Sequence, residues 1–361
     1  MLIYWSILLV ALSAALVYSR PRLAGLRPEV SSWSVLWVGA WLGLTLVIGL
    51  RYEVGADWPA YEAMVRAVSG LPLWQALDTT DPAYAALNWV GANVGGGVLF
   101  VNTVCAALFS WGLIAFCRLQ PRPWLALLVA VPYLVIVVAM GYTRQGVALG
   151  LAMLGLTALL QGRLLGFVLW VAVAAMFHKS AAILIPLAVF VGSDRQVVRI
   201  IGVVFAAALL FFLLLLEYID QLVVLYLVAG MDSAGAWVRV IMNALPAALF
   251  LLLRRRFQCE AGALKFWTWF SLAGLAFIPL LMVSPSSTAV DRLALYWMPL
   301  QVFVLSRLPD VFGTRSGTRI YWVVAVVLLA AAVQFVWLFF AAHAHAWLPY
   351  QFYPWVWLWS L

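Results

Sequence analysis

The stretch Leu164-Leu-Gly-Phe-Val-Leu-Trp-Val-Ala-Val-Ala-Ala-Met-Phe-His178-Lys179-Ser-Ala-Ala-Ile-Leu-Ile-Pro186-Leu-Ala-Val-Phe-Val-Gly192 decides how the rest of the chain is read. As one helix it is a tilted span of 29 residues with His178 and Lys179 at its middle, and every later segment changes sides of the membrane. As a hairpin it is two short apolar arms, 164–177 and 180–192, with a polar tip. The charges elsewhere arbitrate. With the hairpin, apolar runs near 2–18, 32–50, 97–117, 123–140, 145–160, 164–177, 180–192, 198–216, 236–253, 266–283, 293–306 and 320–340 make twelve candidate spans, judged against the roughly 20 residues a spanning helix needs. With the N-terminus outside, 15 of the 21 Lys and Arg residues fall on one face and 6 on the other, and the positive-inside rule puts the richer face in the cytoplasm. A single long helix would send Arg254, Arg255 and Arg256 outward, so the hairpin is expected. Nine of the 13 acidic residues lie on the outer face. An arm of 14 residues reaches only about 21 Å at about 1.5 Å per residue, short of a hydrocarbon thickness of about 30 Å. The His178–Lys179 tip is therefore recessed, which is tolerable only where it is buried in protein or lines a water-filled cavity.

Composition agrees with a membrane protein. Of 361 residues 67% are hydrophobic and 9% charged, with mean hydropathy +1.06, against a charged fraction of about 25% in soluble domains. The expectation is a single integral domain over 1–361, an all-α polytopic membrane protein of about 12 transmembrane helices with a short re-entrant-like hairpin. The net charge of +8 sits mainly in short loops, as orientation requires, which sets nucleic-acid binding aside. Cys105, Cys117 and Cys259 form neither a disulfide framework nor a metal pattern. The first apolar run lacks a basic leader and a cleavage site and is read as a retained span. Two outer segments are too long for turns. Residues 51–96 carry Trp58, Trp74, Trp89, several acids and a Gly95–Gly96–Gly97 joint. Residues 217–235 have apolar residues at helical spacing opposite acids, as an interfacial helix does. Trp347 to Trp359 reads as an aromatic belt at the outer interface. No internal repeat is evident, which weighs against a transporter built from two halves.

Four polar clusters interrupt this apolar chain, all on the outer face: Arg51–Asp57–Tyr61, Tyr142–Arg144, His178–Lys179 and Asp291–Arg292. Ionisable groups in or beside hydrocarbon are costly and mark functional sites. Asp57 and Tyr61 are four apart and neighbour each other if Pro59 opens a helix, with Asp57 near its N-cap. The same residues fit a capped helix with an interfacial arginine, or a general base with an anion-binding arginine. Arg144, at a tight outer turn, either snorkels to lipid phosphate or forks onto a substrate diphosphate. His178 has the titration range of a proton acceptor. Asp291 and Arg292 point about 100° apart on a helix and need not pair, leaving Arg292 to reach the cavity of Arg144. His343 and His345 face different sides of a helix and suggest an interfacial origin rather than a metal pair.

Taken together, Arg-x-x-x-Gly-x-Asp-x-x-x-Tyr (Arg51 to Tyr61), the Arg144–Gln145 turn before a Gly/Ala-rich helix, Phe-His-Lys-Ser-Ala before a Pro-containing short helix (Phe177 to Pro186), and Asp-Arg-Leu-x-x-Tyr (Asp291 to Tyr296) resemble the EpsG family. The likeness runs over residues 1 to 300 and extends to the Pro-Tyr-x-Phe near the end. Those proteins are membrane polymerases and glycosyltransferases of exopolysaccharide and O-antigen synthesis. The chain is also similar to O-antigen ligases and other GT-C transferases of lipid-linked sugars. The resemblance implies a GT-C-like fold and a bacterial inner-membrane enzyme joining undecaprenyl-diphosphate-linked oligosaccharide units at the periplasmic face. Its expected partners are the lipid-linked glycan donor and acceptor, membrane lipids and a chain-length regulator.

On that reading Arg144 and Arg292, assisted by Arg51, hold the diphosphate. Asp57 or His178 takes the acceptor proton, and Tyr61, Tyr142, Lys179, Asp291 and Tyr296 contact substrate. No Asp-x-Asp motif is present, and arginines neutralise a diphosphate without a metal, so neither metal nor other cofactor is expected. Two further classes share some of these features. A flippase for lipid-linked saccharide needs polar residues in both leaflets for alternating access, and a membrane O-acyltransferase draws its acyl donor from the cytoplasm, where the loops offer no histidine.

Overall fold

The computed structural model describes residues 1–18, 33–190, 202, 232–233, 235–313 and 317–359. Among these the chain is helical and has no strand, only one isolated bridge between Arg51 and Phe352. Two apolar helices, α1 (Leu2–Val17) and α2 (Val35–Gly49), precede three short ones, α3 (Trp58–Ala67), α4 (Leu73–Ala76) and α5 (Pro82–Val94). The long segment 51–96 is therefore folded. Pro59 and Pro82 stand in the first turns of α3 and α5, where a missing N–H costs nothing. The triple-glycine joint is a tight turn: Gly95 and Gly97 have φ of 80° and 54°, a region that glycine enters without strain.

Next come α6 (Gly97–Arg118), α7 (Pro123–Ala130), a π-helical segment (Val131–Ala139) and α8 (Thr143–Leu160). The hairpin arms are α9 (Leu164–Phe177) and a 3-10 helix (Lys179–Phe190), which pack on one another. His178 between them is extended, with φ −158° and ψ 110°, so the helix breaks at the polar tip as expected. After α10 (Ala236–Leu253) and α11 (Ala261–Val283) come α12 (Ser287–Ala294), a 3-10 turn (Leu295–Trp297), α13 (Pro299–Leu305), α14 (Leu308–Phe312), α15 (Thr318–Phe340) and α16 (Tyr353–Trp359).

Five helices among the described residues are long and apolar enough to cross a membrane: α6, α8, α10 with its 3-10 extension to Arg256, α11 and α15. Five shorter apolar helices accompany them, at Leu2–Val17, Val35–Gly49, Pro123–Ala139, Leu164–Phe177 and Lys179–Phe190. The expected span at 293–306 is broken by the 3-10 turn ahead of Pro299. The expected span at 198–216 and the interfacial helix at 217–235 lie outside the described residues, apart from single positions at Gly202, Asp232, Ser233 and Gly235.

Helix α8 is the axis of the bundle, buried along most of its length. It crosses α6 so closely that a Cβ on Gly112 would lie 1.8 Å from the Gly150 carbonyl oxygen. In the same way α2 closes on α6, where a Cβ on Gly49 would meet Thr103 at 2.6 Å. Apolar surface gives helices in lipid little drive to associate, so close backbone contact at small residues carries much of the packing.

The chain end is not wholly the interfacial belt read from its composition. Trp355, Trp357 and Trp359 on α16 are exposed and fit a belt, but Trp347 is 1% exposed. Its indole donates to the Ile136 carbonyl at 2.7 Å, and its own carbonyl accepts from the Tyr4 hydroxyl at 2.6 Å. A Cβ on Gly141 would sit 2.4 Å from its ring. Residues 346–353 then strap across the end of α2, with Gly55 N–H donating to Ala346, Tyr52 N–H to Gln351 and Tyr353 N–H to the Leu50 carbonyl. Large aromatics with one polar atom are drawn inward when that atom finds a partner.

Candidate active site

Three consecutive residues in the first turn of α8 tie the polar clusters together. Successive side chains on a helix point about 100° apart, and here each points at a different element. Thr143 accepts from Arg51 Nη2 at 2.7 Å and meets Asn102 Oδ1 at 3.2 Å. Arg144 Nη1 donates to Thr80 Oγ1 at 2.8 Å and lies 3.4 Å from Asp81 Oδ2. Gln145 Nε2 donates to the Arg292 carbonyl at 2.5 Å.

Arg51 departs from its expected role. Its guanidinium is 1% exposed and fully engaged, with Nε on the Val54 carbonyl at 3.1 Å, Nη1 on the Ile48 carbonyl at 2.5 Å and Nη2 on Thr143. It ends α2 and shapes the turn that presents Asp57, rather than facing a substrate phosphate. Asp291 is likewise engaged. It forms a two-point ion pair with Arg239 of α10 and accepts from Ser233 Oγ at 3.1 Å, and Arg239 also reaches the Tyr133 hydroxyl at 3.3 Å. Asp291 and Arg292, which need not pair on a helix, point to different neighbours, and the Asp291 carboxylate is taken up by Arg239 and Ser233.

Asp57 stands at the N-terminus of α3 and makes no capping bond. Its carboxylate accepts from the Tyr61 hydroxyl at 3.5 Å. Burial raises its pKa above the ordinary carboxylate value, against the opposing pull of Arg292 and Arg144 nearby. Arg292 is half-buried and has no side-chain hydrogen bond or ion pair among the described residues. Tyr142, half-buried, shares this neighbourhood with Asp57 and Arg292.

At the hairpin tip, His178 Nδ1 is 2.6 Å from Ser180 Oγ, which is 3.3 Å from the Tyr296 hydroxyl. The charges of Arg144, Arg292 and Lys179 all act on the imidazole. The hairpin tip thus lies near two of the other clusters, those of Arg144 and of Arg292. Tyr61 and Tyr296 are buried, at 3% and 0% exposure, which leaves neither ring face open to a sugar. Tyr61 packs edge-on to Tyr84 at 6.0 Å. In the segment 51–96 Trp58 is buried and the Trp89 indole donates to the Leu71 carbonyl, leaving Trp74 exposed.

Several participants have no local sequence signal. Asp81 reads as an ordinary helix start before Pro82, yet its carboxylate makes no cap and instead faces Arg144 and Lys179. Burial raises its pKa, and those two cations oppose the shift. Arg239, Ser180, Thr80 and Asn102 are recognisable only from their partners. Chemically, the cluster sets two guanidiniums, Arg144 and Arg292, near one weakly bonded carboxylate, Asp57, and sets Lys179 with Arg144 at Asp81. Among the described residues no group of three or more His, Cys, Asp or Glu is arranged to hold a metal.

A family model described as the EpsG family matches residues 34–352. No curated protein and no solved structure matches the chain.

Proposed function

This chain belongs to the EpsG family, and from that membership and the grouping of Asp57 with Arg144 and Arg292 we propose that it is a membrane glycosyltransferase of the polysaccharide-polymerase type. Its substrates are undecaprenyl-diphosphate-linked oligosaccharides, one as donor and one as acceptor, and the site faces the periplasm at the inner membrane. The uneven split of Lys and Arg between the two faces supports that orientation.

The observation that carries the reading is the placement near one carboxylate of two guanidiniums: Arg292, whose side chain has no hydrogen bond or ion pair among the described residues, and the partly exposed Arg144. Two guanidinium forks match the oxygens of a diphosphate and stabilise the charge that develops as it leaves. An acceptor hydroxyl attacks the anomeric carbon of the donor, the bond from that carbon to the lipid diphosphate breaks, and Asp57 takes the hydroxyl proton. Burial favours the uncharged form of any group, which makes a carboxylate readier to accept a proton and an imidazole less ready. His178, with one ring nitrogen held by Ser180, is assigned to orienting the acceptor. Tyr142 and the exposed Trp74 are the aromatic surfaces available to sugar rings.

The test is Arg144→Ala and Arg292→Ala, each expressed in a strain deleted for the wild-type gene. Polymer yield and length fall in both variants, with the rate reduced by about 10² or more, as for loss of a transition-state donor. Unchanged polymer in both variants contradicts the assignment.

A further inference from the structure

Asp81 occupies the anion site from within. Its side chain is 9% exposed and sits 3.4 Å from Arg144 Nη1, while Thr80 holds the same nitrogen at 2.8 Å. The charge of Lys179 also acts on it, and the Lys179 backbone N–H donates to the carboxylate. Two of the three cations of the site therefore face a protein carboxylate, and only Arg292 faces none at hydrogen-bonding distance among the described residues.

A second position is open to this carboxylate. Asp81 is the N-cap residue of α5, the place where an aspartate ordinarily accepts from the amides of the first turn, yet it makes no such bond. Pro82 has no N–H to offer, so the amides within reach are those of Ala83 and Tyr84, which have no partner inside the helix. The Asp81 carboxylate can thus lie on Arg144 and Lys179 or on the end of its own helix, with charge or hydrogen-bonding compensation in each place.

We propose that Asp81 is a resident competitor of the substrate diphosphate: it holds Arg144 and Lys179 while the site is empty, and moves to cap α5 when a diphosphate takes them. The proposal rests on the reading of Arg144 and Arg292 as the diphosphate site and adds a residue that tunes its affinity. Asp81 is a positioning residue, since it acts through Arg144 and Lys179. The long 3.4 Å contact suits this exchange, because a diphosphate offers the guanidinium two shorter, charge-assisted bonds in its place. The exchange makes product release easier, as the returning carboxylate displaces the bound lipid diphosphate.

The full-length protein in lipid nanodiscs is titrated with inorganic pyrophosphate by calorimetry, without added metal. Asp81→Asn keeps the shape and removes the competing charge, so it binds pyrophosphate about five- to tenfold more tightly than the wild type, the lower range of a coupling between two ligands of one site. The gain disappears in the Asp81→Asn, Arg144→Ala double variant. Equal or weaker binding by folded Asp81→Asn, with the wild type binding normally, overturns the competitor role alone. Failure of the wild type and of Asp81→Asn to bind pyrophosphate overturns both this role and the diphosphate reading. If Asp81→Asn does not fold, hydrogen exchange on the wild type decides: saturating pyrophosphate slows exchange at the Ala83 and Tyr84 amides, and unchanged exchange there contradicts the capped state.

Discussion

The Asp291 carboxylate grips the Arg239 guanidinium at two points inside the protein, with both side chains less than a tenth exposed. The pair fixes α12 against α10 and so sets the direction of Arg292, one residue further along, whose carbonyl is held in turn by Gln145. Removing one member of a buried pair leaves the other charge uncompensated, at about 3–5 kcal/mol, whereas replacing both with apolar residues costs far less. Arg239→Met and Asp291→Leu should each unfold at clearly lower denaturant in mixed micelles, and the double variant should recover most of the loss. Additive losses in the double variant would show that the two residues act separately.

Arg51 serves structure, and its conservative replacement shows it. A lysine cannot reach the Val54 and Ile48 carbonyls and Thr143 at once. Each buried acceptor left unpaired costs about 1–3 kcal/mol. Arg51→Lys should therefore lower stability while the folded fraction binds pyrophosphate like the wild type. A selective loss of pyrophosphate affinity at unchanged stability would return Arg51 to the substrate.

The close crossing of α6 and α8 is open to a clean comparison. A Cβ on Gly112 would meet the Gly150 oxygen at 1.8 Å, while at Gly39 and Gly43 nothing lies within 4 Å. Gly112→Ala forces the helices apart and should cost about 1–3 kcal/mol or more. It should also reduce activity, because the same two helices carry Asn102 and Thr143 under Arg51. Gly39→Ala should be close to neutral, and thermal unfolding of both variants checks the contrast.

Asp57 gives the pH dependence. The carboxylate is the active form of a general base, and burial raises its pKa above the ordinary value. The rate should fall as pH drops through that raised value, at higher pH than an exposed aspartate would require. Asp57→Asn should lose about 10²- to 10⁴-fold in rate together with this acid limb. An acid limb that survives in Asp57→Asn would belong to another group.

The parts legible in the sequence were those where polarity contradicts its surroundings. Arg51, Arg144, His178 and Arg292 interrupt apolar runs, and the short arms on either side of His178 predict a break that the structure has. Partner choice was not legible. Arg239 lies 52 residues from Asp291, and Asp81 lies 63 residues from Arg144; no helical or strand period links such positions. Arg51 looked like a substrate contact because exposed and buried arginines read alike until their neighbours are known. Trp347 looked interfacial for the same reason, since an aromatic run does not reveal which ring the helix ends will enclose. Asp81 was hidden by resembling a helix cap, which it does not form.

Glycosyl transfer from one lipid-linked glycan to another can be followed in a reconstituted system. The purified protein is incubated with a synthetic undecaprenyl-diphosphate-linked repeat unit, and the products are measured by mass spectrometry. Glycans lengthened by whole repeat units are expected, with release of undecaprenyl diphosphate, and both are lost in Asp57→Asn. A repeat unit that leaves with its covalent structure unchanged, or with an added acyl mass, would contradict glycosyl transfer.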